Sequence, residues 1–349
     1  MSGTGATATG TRETELITPN RIPLNVLLGV PDHGSDLVRV SRDGTQLILL
    51  GGSQIVSYLS PKRFALHRFY LQKGVRVHLK LSPGAILNQI ADCDLCPGAL
   101  EMADRLVSQL SVPCFNAPAA IARTSRDQVA KLLSGIAGLR VPKTIRIDDA
   151  TPTHIRDAIA RETLEYPVLL RPIGSHGGES LIRIDKPKDL ENMPPIGGSR
   201  FGLYATEFHD FVGADGRYRK FRVVVLGEQV FLRHCVIADN WLLHAARRAA
   251  GTEDIERGML AIFDREWAAQ LHPIFREIGS RLRLDFFGID CNIYNHGRVV
   301  LFEANAAMNI LQNTSASPNM WDAPIARIKS ALEDRLASPS TWYGANGRS

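Results

Sequence analysis

The most informative stretch of the chain is residues 283–311, which read RLDFFGIDCNIYNHGRVVLFEANAAMNIL. Residues 286–294 and 298–302 are rich in β-branched and aromatic side chains, which favour strands. Asn295, His296 and Gly297 separate the two runs and form a typical turn sequence. The stretch therefore predicts a β-hairpin.

Three oxygen-bearing side chains, Asp290, Glu303 and Asn305, lie within this predicted hairpin. Glu303 and Asn305 are two residues apart on an extended segment, so both face the same side of the sheet. Asp290 lies on the preceding strand, where hairpin pairing can bring it opposite them. Such oxygen donors suit Mg²⁺. The alternative is a buried polar cluster or a turn-capping asparagine, although carboxylates in an apolar hairpin are costly unless paired or metal-bound.

The sequence G-I-D, a short hairpin and V-L-F-E-A-N resembles the metal-binding end of the ATP-grasp superfamily, which includes D-alanine–D-alanine ligase, glutathione synthetase and biotin carboxylase. The resemblance extends over roughly residues 116–311. It implies that Asp290, Glu303 and Asn305 hold Mg²⁺, with Mn²⁺ as an alternative ion, against the phosphates of ATP. It also implies an α/β chain, in which an N-terminal parallel-sheet domain precedes a two-subdomain α+β ATP-grasp fold.

The composition excludes several classes of protein. The 349 residues, 44% apolar and 22% charged, have room for two or three soluble domains and contain no apolar run of membrane-spanning length. The net charge of +5 fits anionic ligands but is too scattered for nucleic acid. Five cysteines without a disulfide framework fit the cytoplasm. Cys93 and Cys96 lack the second pair that a zinc site needs, so a turn is favoured.

The first 120 residues alternate strand and helix patterns, which predicts a largely parallel sheet. Residues 1–21 are expected to be a disordered tail, and residues 22–120 an N-terminal α/β domain. No dinucleotide-binding glycine motif follows a strand. The predicted strands cover residues 24–30, 46–50, 75–81 and 112–116, and the predicted helices cover residues 60–74 and 97–110.

Residues 121–201 are expected to form the small subdomain. A helix at 127–136, capped by Thr124 or Ser125, and a second helix at 153–162 precede a buried strand at 168–170 that ends at Arg171. A glycine-rich loop follows, and its N–H groups and the Arg171 cation suit phosphate oxygens. The loop comprises Gly174, Ser175, His176, Gly177, Gly178, Glu179 and Ser180.

In this small subdomain the resemblance is to the lysine-bearing strand and glycine flap of ATP-grasp enzymes, with Arg171 in the place of the lysine. A second family lysine, on the first helix, is replaced by Gln128. Arg126, Lys131 or Lys143 can substitute for it, and a solvated basic helix face is the alternative interpretation.

Residues 202–337 are expected to form the larger subdomain. The resemblance implies that the backbone of Glu207 and Phe208 contacts adenine and that Asp210 or Asp215 contacts the ribose; a solvated loop carboxylate is the alternative for either aspartate. Lys220 and Arg222 share one face of the next predicted strand, together with Tyr218. Cations on an internal strand need anionic partners, so we assign Arg222 and Lys220 to the phosphates or an acyl phosphate.

The segment RKFRV…RHCVIADNWLLH resembles a little-studied bacterial ATP-grasp group, which implies that His234 and His244 lie in the substrate pocket. A hydrogen-bonded structural histidine is the equal alternative for each. Residues 253–282 are strongly helical and are expected to break before Pro273. Residues 338–349 are expected to form a fraying tail, with docking of Trp342 and Tyr343 left open.

The resemblance implies an ATP-dependent ligase in which a carboxylate is phosphorylated and an amine then displaces phosphate. Met308 and Asn309 follow the metal ligands and are assigned to the acyl acceptor. The expected partners are a small carboxylate and an amine, such as amino acids or a peptide; a homodimer is left open. The alternatives are a kinase, a nucleotide-sensing module and a peptide-modifying macrocyclase. Amine-dependent phosphate release, ADP formation and loss of water from a peptide separate these four functions.

Overall fold

The computed structural model describes residues 21–32, 38–40, 47–49, 51–75, 80–175, 178, 180–196, 202–244, 247–294 and 297–344. Several predictions from the sequence fall outside these residues. They are the N-terminal tail up to residue 20, positions 46 and 50 of one strand, positions 76–79 of another, the turn at 295–296, the loop residues His176, Gly177 and Glu179, and the tail beyond residue 344.

The N-terminal part of the chain contains a four-stranded parallel sheet. Its strands lie in the order β4 (Phe64–Leu71), β1 (Ile22–Gly29), β5 (Ala85–Asn88) and β6 (Cys114–Phe115). Residues 24–27 of β1 are all buried, as expected for a parallel sheet covered on both faces. The predicted parallel sheet is therefore confirmed. Its elements, together with a separate antiparallel pair formed by β2 and β3, are β1 (Ile22–Gly29), β2 (Val38–Val40), β3 (Leu47–Leu49), β4 (Phe64–Leu71), β5 (Ala85–Asn88), α1 (Pro97–Gln109) and β6 (Cys114–Phe115).

The predicted helix at residues 60–74 is wrong, because residues 64–71 form strand β4 at the edge of this sheet. Eight residues of β4 pair in parallel with β1, from Ile22 opposite Phe64 to Gly29 opposite Leu71. The edge position leaves His67 and Arg68 exposed while Phe64 and Leu71 are buried. Pairing with a neighbouring strand thus overrides a local pattern that is compatible with a helix.

The small subdomain is built on a four-stranded antiparallel sheet. Its strands lie in the order β10 (Ile182–Ile184), β9 (Val168–Pro172), β11 (Leu203–Glu207) and β8 (Thr144–Ile147). Apolar side chains of α4 and of the sheet form its own core, which includes Ile155, Ile159, Leu170 and Leu203. The elements of this region are α2 (Pro118–Ile121), α3 (Arg126–Leu133), β7 (Leu139–Arg140), β8 (Thr144–Ile147), α4 (Pro152–Arg161), β9 (Val168–Pro172), β10 (Ile182–Ile184) and β11 (Leu203–Glu207).

The larger subdomain contains a five-stranded sheet, in which only the β15–β7 pair is parallel. Its strands lie in the order β13 (Gln229–Ala238), β12 (Tyr218–Leu226), β14 (Phe286–Ile293), β15 (Val299–Asn305) and β7. The predicted hairpin is present as β14 and β15. Helices cover the sheet, and the main apolar core joins it to the N-terminal sheet. The elements are β12 (Tyr218–Leu226), β13 (Gln229–Ala238), α5 (Glu253–Ile262), a π-helical turn (Phe263–Trp267), α6 (Ala268–Leu282), β14 (Phe286–Ile293), β15 (Val299–Asn305) and α7 (Asp322–Leu336).

The helical region 253–282 does not break before Pro273. The change in helical geometry is the π turn at Phe263–Trp267, and Pro273 lies inside α6. Pro273 lacks one N–H donor, but the neighbouring Leu271, Ile274 and Phe275 are buried, so packing keeps the helix intact. The described residues include no helix that is both long and apolar enough to cross a membrane.

The end of the chain is packed against the protein rather than frayed as far as residue 344. Trp342 is buried, makes an edge-on contact with Phe115 at a ring separation of 5.1 Å, and donates its indole N–H to the Arg335 carbonyl at 2.7 Å. The predicted tail is therefore wrong for residues 338–344. The remaining domain boundaries proposed from the sequence stay predictions.

Candidate active site

A cleft of about 800 Å³ lies between the small antiparallel sheet and the five-stranded sheet, and side chains of both sheets line it. The lining includes aromatic side chains, such as Phe208, Trp241 and Phe302, and cations, such as Arg222 and Arg233. The volume is in the range of small-molecule binding sites. Apolar packing therefore does not fill the space between the two halves.

Strands β14 and β15 bring the three predicted metal ligands to this cleft. Asp290 is paired with Glu303 across the two strands, and Asn305 is paired with Gly288. The Asn305 amide donates to Glu303 Oε1 at 2.6 Å, and its Oδ1 accepts from the Ala307 N–H at 2.9 Å. The expected shared face is present in the structure, and the metal-binding role of these residues stays a prediction.

Both carboxylates of the trio face cations. Arg222 binds Asp290 through two hydrogen bonds, Nε to Oδ1 at 2.8 Å and Nη2 to Oδ2 at 2.9 Å, and Lys220 Nζ lies 3.3 Å from Oδ2. Arg126, at the start of α3, lies 2.5 Å from Glu303 Oε1. Arg126 is thus the one of the three suggested substitutes for the missing lysine that reaches the site, whereas Lys131 and Lys143 are exposed and do not line the cleft.

These cations keep both carboxylates ionised. Burial disfavours the charge on Asp290, but Arg222 and Lys220 more than offset it and hold the pKa of Asp290 well below its usual range. Burial likewise opposes the charge on Glu303, and Arg126 together with Arg171 lowers the Glu303 pKa below its ordinary value. The site therefore presents two carboxylates in their ionised form at neutral pH.

The residues present fit a Mg²⁺ ion that shares its coordination shell with phosphate. Mg²⁺ commonly uses one or two carboxylates and completes its shell with waters and phosphate oxygens. Asp290 and Glu303 supply ionised oxygens, and Asn305 supplies an amide oxygen beside them. Within the described ranges no cluster of three or more His, Cys, Asp or Glu side chains is suited to a metal, which excludes an all-protein metal cage there.

Arg171 differs from the other cations of the site because it forms no hydrogen bond or ion pair within the described part of the chain. It lies on β9 opposite Tyr204 of β11 and lines the cleft. Burial, followed by repulsion from Arg126, lowers the pKa of Arg171 to about 10. Arg171 is half-buried and feels the charges of Glu303 and Asp290 without contacting either, so its hydrogen-bond donors are available to an anionic ligand.

Glu207 and Phe208, the predicted adenine contacts, both line the cleft, and their role stays a prediction. The Glu207 N–H donates to the Lys143 carbonyl at 3.0 Å and the Phe208 N–H to the Pro167 carbonyl at 2.7 Å, so any contact from these two residues would use a carbonyl oxygen. The next residue, His209, lines the cleft, and its N–H has no partner among the described residues. If a purine binds at this hinge, His209 is the available backbone donor.

Neither predicted ribose ligand lines the cleft. Asp215 accepts two hydrogen bonds from Arg219, which lower its pKa, and it is mostly exposed. The assignment of Asp215 to the ribose is therefore not supported. Asp210 is exposed and accepts from the Val212 N–H at 3.2 Å, and its ribose role stays a prediction.

The described part of the glycine loop borders the site. Gly178 lines the cleft, and Gly174 and Ser175 line a smaller adjoining pocket. Gly174 has a φ of +77°, which glycine adopts readily, and a side chain there would lie 2.8 Å from Leu95. The loop thus begins in close contact with the N-terminal domain, and its role in phosphate binding stays a prediction.

The four predicted substrate residues all line the cleft near Arg222. The Arg222 Nη1 donates to the Asn309 carbonyl at 3.0 Å, and Met308 packs over Gly288. His234, opposite Arg222 on β13, is half-buried, and its removal from water together with repulsion from Arg222 lowers its pKa well below the usual value. His234 is therefore neutral at physiological pH. His244 is exposed at the rim.

Two of the cleft residues that sequence reasoning missed, Arg233 and Phe302, are placed there by β-bulges. Arg222 pairs with His234 and Val223 with Leu232, so Arg233 is the extra residue of a bulge on β13. Asp290 pairs with Glu303 and Cys291 with Leu301, so Phe302 is the extra residue on β15. A bulge turns a side chain to the face opposite the one that strand alternation assigns to it. The only signal of the bulge in the sequence is an unexpected arginine beside His234.

The Cys93-x-x-Cys96 motif has the structural role that was favoured. Burial, reinforced by nearby carboxylates, raises the pKa of both thiols to about 12. Such thiols are protonated at neutral pH and are weak nucleophiles. No disulfide joins cysteines of the described residues.

No protein-family model and no curated protein matches the sequence. Solved structures do match in fold. A D-alanine–D-alanine ligase from Bacillus anthracis aligns with a TM-score of 0.53 at 12% identity, covering 91% of this chain and 97% of that chain.

Two further structures align with TM-scores of 0.50. The ATP-grasp ligase PsnB, complexed with a minimal precursor, is 14% identical over 91% of this chain and 99% of that chain. A carboxyaminoimidazole ribonucleotide synthase from Aspergillus clavatus, complexed with ATP, is 13% identical over 89% of this chain and 77% of that chain. The predicted fold class is confirmed, and the chain has the ATP-grasp fold.

Proposed function

We propose that the protein is an ATP-dependent ligase that phosphorylates a substrate carboxylate and joins the acyl group to an amine. The observation that carries this proposal is the half-buried guanidinium of Arg171, which forms no hydrogen bond or ion pair among the described residues and lies in the same cleft as Glu303 and Asp290. Cations that outnumber the carboxylates, beside ionised oxygen ligands, favour a metal-bound polyphosphate over a neutral ligand. The ATP-grasp fold, which occurs in ligases of this chemistry, supports the same conclusion.

The arrangement assigns roles to individual side chains. Arg171 and Arg126 lie where they can bind oxygens of the triphosphate, and Lys220 and Arg222 lie where they can bind the acyl phosphate. Held by Asp290, Glu303 and Asn305, Mg²⁺ would supply positive charge against the phosphate oxygens. The aromatic side chains that line the cleft suit the adenine.

The proposed reaction has two balanced steps. A carboxylate oxygen attacks the γ-phosphorus of ATP, and ADP leaves as the P–O bond to its β-phosphate breaks. The amine nitrogen then attacks the acyl carbon, phosphate leaves with the C–O bond electrons, and the amine loses a proton. Lys220 and Arg222 stabilise the charge on the phosphate in both steps, and positioning supplies the rest.

Modification of a peptide is a second candidate function. One neighbour of the same fold, PsnB, was solved with a minimal precursor, and the cleft of about 800 Å³ can hold several residues of a peptide. A kinase, which would stop at phosphate transfer, is the remaining alternative from the sequence. Mass spectrometry separates these functions, because macrocyclisation removes water from a peptide and a kinase adds phosphate.

The proposed function is tested by measuring ADP release with Mg²⁺ over a panel of amino acids, dipeptides and amines. We expect release that depends on both an acid and an amine, and amide formation by mass. The Glu303→Ala variant should lose at least about 100-fold in turnover, because one charge-stabilising group typically contributes this much. The control Glu253→Ala removes an exposed carboxylate of α5 and should be unchanged. Unimpaired turnover in Glu303→Ala would contradict the proposal.

A further inference from the structure

Beyond Arg222, the cleft continues into a cationic region that the triphosphate does not account for. It is lined by side chains of β13, the segment after Ala238 and the loop that follows β15. The charged groups that meet there are four cations, Lys220, Arg222, Arg233 and Arg248, and two carboxylates, Asp290 and Glu256. This end of the site, within the described chain, therefore carries more cations than carboxylates.

Most of these charges have partners. Arg222 and Lys220 share Asp290. Arg248 is bound to the fully buried Glu256, which also accepts from the Trp321 indole N–H at 2.9 Å. Arg248 is neutralised by Glu256, and Lys220 and Arg222 are assigned to Asp290 and the phosphate. None of these three cations therefore defines a second anion site.

Arg233 is different. It is only 7% exposed, and its guanidinium donates to two backbone carbonyls, those of Ile310 at 3.2 Å and Gln312 at 2.8 Å. No carboxylate of the described residues forms an ion pair with it. Burial and the neighbouring Arg222 lower its pKa to about 10. The two carbonyls fix the plane of the guanidinium, and the nearest carboxylate influence, that of Glu256, acts without direct contact because Glu256 is bound to Arg248.

The bulge on β13 places Arg233 at this position. Regular alternation would send Arg233 and His234 to opposite faces of the sheet, yet both line the cleft. Bulges concentrate next to active sites and reorient a side chain at the cost of a ladder hydrogen bond. An oriented, buried guanidinium that forms no ion pair matches the planar, two-oxygen geometry of a carboxylate.

We infer that Arg233 binds a carboxylate of the substrate that the reaction does not consume. This inference rests on the proposed function and specifies its substrate class: at least one of the two joined molecules carries a second carboxylate. The acid can supply it as a dicarboxylate or acidic amino acid, or the amine can supply it as the free carboxylate of an amino acid or peptide. Trp321 and Met308 provide the apolar walls of this subsite.

The test compares ligands that differ by one charge. Binding to protein saturated with Mg²⁺ and ADP is measured by calorimetry for acidic compounds and their amides. The acid arm uses L-glutamate against L-glutamine, succinate against succinamate, and Ala-Glu against Ala-Gln. The amine arm uses L-alanine against L-alaninamide. The arm in which the charged member binds more tightly identifies the source of the carboxylate.

The variants are Arg233→Gln, Arg233→Lys and, as a control, Arg257→Gln, which removes the same charge from an exposed position on α5. Arg233→Gln should weaken the charged member of the preferred pair roughly 10- to 100-fold, the range for one hydrogen bond between charged groups, and leave the amide within about twofold. Arg233→Lys should retain part of the preference. The control should match the wild type.

Arg233 also holds the 310–312 backbone, so loosening of that loop must be distinguished from loss of charge. A loosened loop would weaken charged and amide ligands equally, and that result would overturn the inference. So would a wild-type protein that does not distinguish the members of any pair. Failure of Mg²⁺ and ADP to bind at all would instead contradict the proposed function, so the two failures are distinguishable.

Discussion

At the scale of single residues, the site contains two kinds of half-buried arginine. Arg222 forms a two-hydrogen-bond pair with Asp290, whereas Arg171 has no partner in the described part of the chain. A paired charge loses stability when its partner is removed, and an unpaired one is itself a cost to the folded state. Replacing Arg171 should therefore weaken ligand binding while leaving the stability of the unliganded protein equal or higher.

We predict that Arg171→Met weakens the binding of ATP with Mg²⁺ by at least 10-fold and leaves the free energy of unfolding of the unliganded protein equal or higher. The substitution removes a phosphate-binding cation but also removes a desolvated charge. Calorimetry measures the first effect and urea denaturation the second. Arg123→Met, at an exposed position near α3, serves as the control for loss of charge.

A loss of about 3 kcal/mol in unfolding free energy on Arg171→Met would show that the guanidinium has a structural partner, because that is the cost of breaking a buried ion pair. Unchanged nucleotide affinity would remove Arg171 from the phosphate site. Either result would weaken the proposed function, since the unpaired charge is its main support.

At the scale of elements, strand alternation predicted the site wherever the pairing is regular. Asp290 and Glu303 lie opposite each other, and Lys220 and Arg222 share a face, because each strand alternates in this region. Alternation fails at Arg233 and Phe302, where one extra residue reverses the assignment. A bulge is selected by the pairing of distant strands, so the local sequence does not mark it.

The same limit explains the errors in secondary structure. The amphipathic pattern of residues 60–74 is compatible with a helix, and only pairing with β1, about 40 residues earlier in the chain, makes residues 64–71 a strand. The helical geometry of residues 253–282 changes at the π turn Phe263–Trp267 and not at Pro273. Both outcomes depend on tertiary packing, which a single sequence does not display.

One hydrogen-bond network joins the small subdomain to the N-terminal domain. The Tyr204 hydroxyl on β11 donates to Asp94 Oδ2 at 2.7 Å, and Arg146 on β8 donates to Asp94 Oδ1 at 2.9 Å. Asp94 is thus shared by two strands of the small sheet. Residues that share a buried partner are expected to be energetically coupled.

We predict that Tyr204→Phe lowers the free energy of unfolding by about 1–2 kcal/mol, and Arg146→Met by less than about 1 kcal/mol because Arg146 is more exposed. The double variant should deviate from additivity by at least about 0.5 kcal/mol. Urea denaturation provides all three values. Additive losses would show that Asp94 does not couple the two domains.

Tyr166→Phe is the matched control for Tyr204→Phe. Its hydroxyl is buried and has no hydrogen-bond partner among the described residues. Removing that hydroxyl should leave stability unchanged or increase it, because an unsatisfied buried polar group is a cost. Equal losses in both tyrosine variants would mean that the hydrogen bond to Asp94 contributes nothing specific.

At the scale of the whole molecule, the C-terminal segment holds the N-terminal sheet and the five-stranded sheet together. Asp285, which is fully buried just before β14, accepts from the Asn116 N–H at 2.9 Å, the Tyr343 N–H at 2.8 Å and Arg335 Nη2 at 3.2 Å. These donors come from the end of β6, the C-terminal segment and α7. The site hairpin is therefore anchored by residues far from the cleft.

We predict that Trp342→Ala lowers the free energy of unfolding by about 3–5 kcal/mol, the usual cost of removing a buried aromatic side chain, without changing nucleotide affinity at temperatures where the variant is folded. Trp342 is 2% exposed and packs on Phe115, so its loss opens a cavity between the C-terminal segment and the N-terminal sheet. Urea denaturation measures stability, and calorimetry with ADP and Mg²⁺ measures affinity. Tyr70→Ala, at a position 43% exposed on β4, should cost less than about 1 kcal/mol. Equal losses in the two variants would mean that the C-terminal segment does not bind the protein as the structure places it.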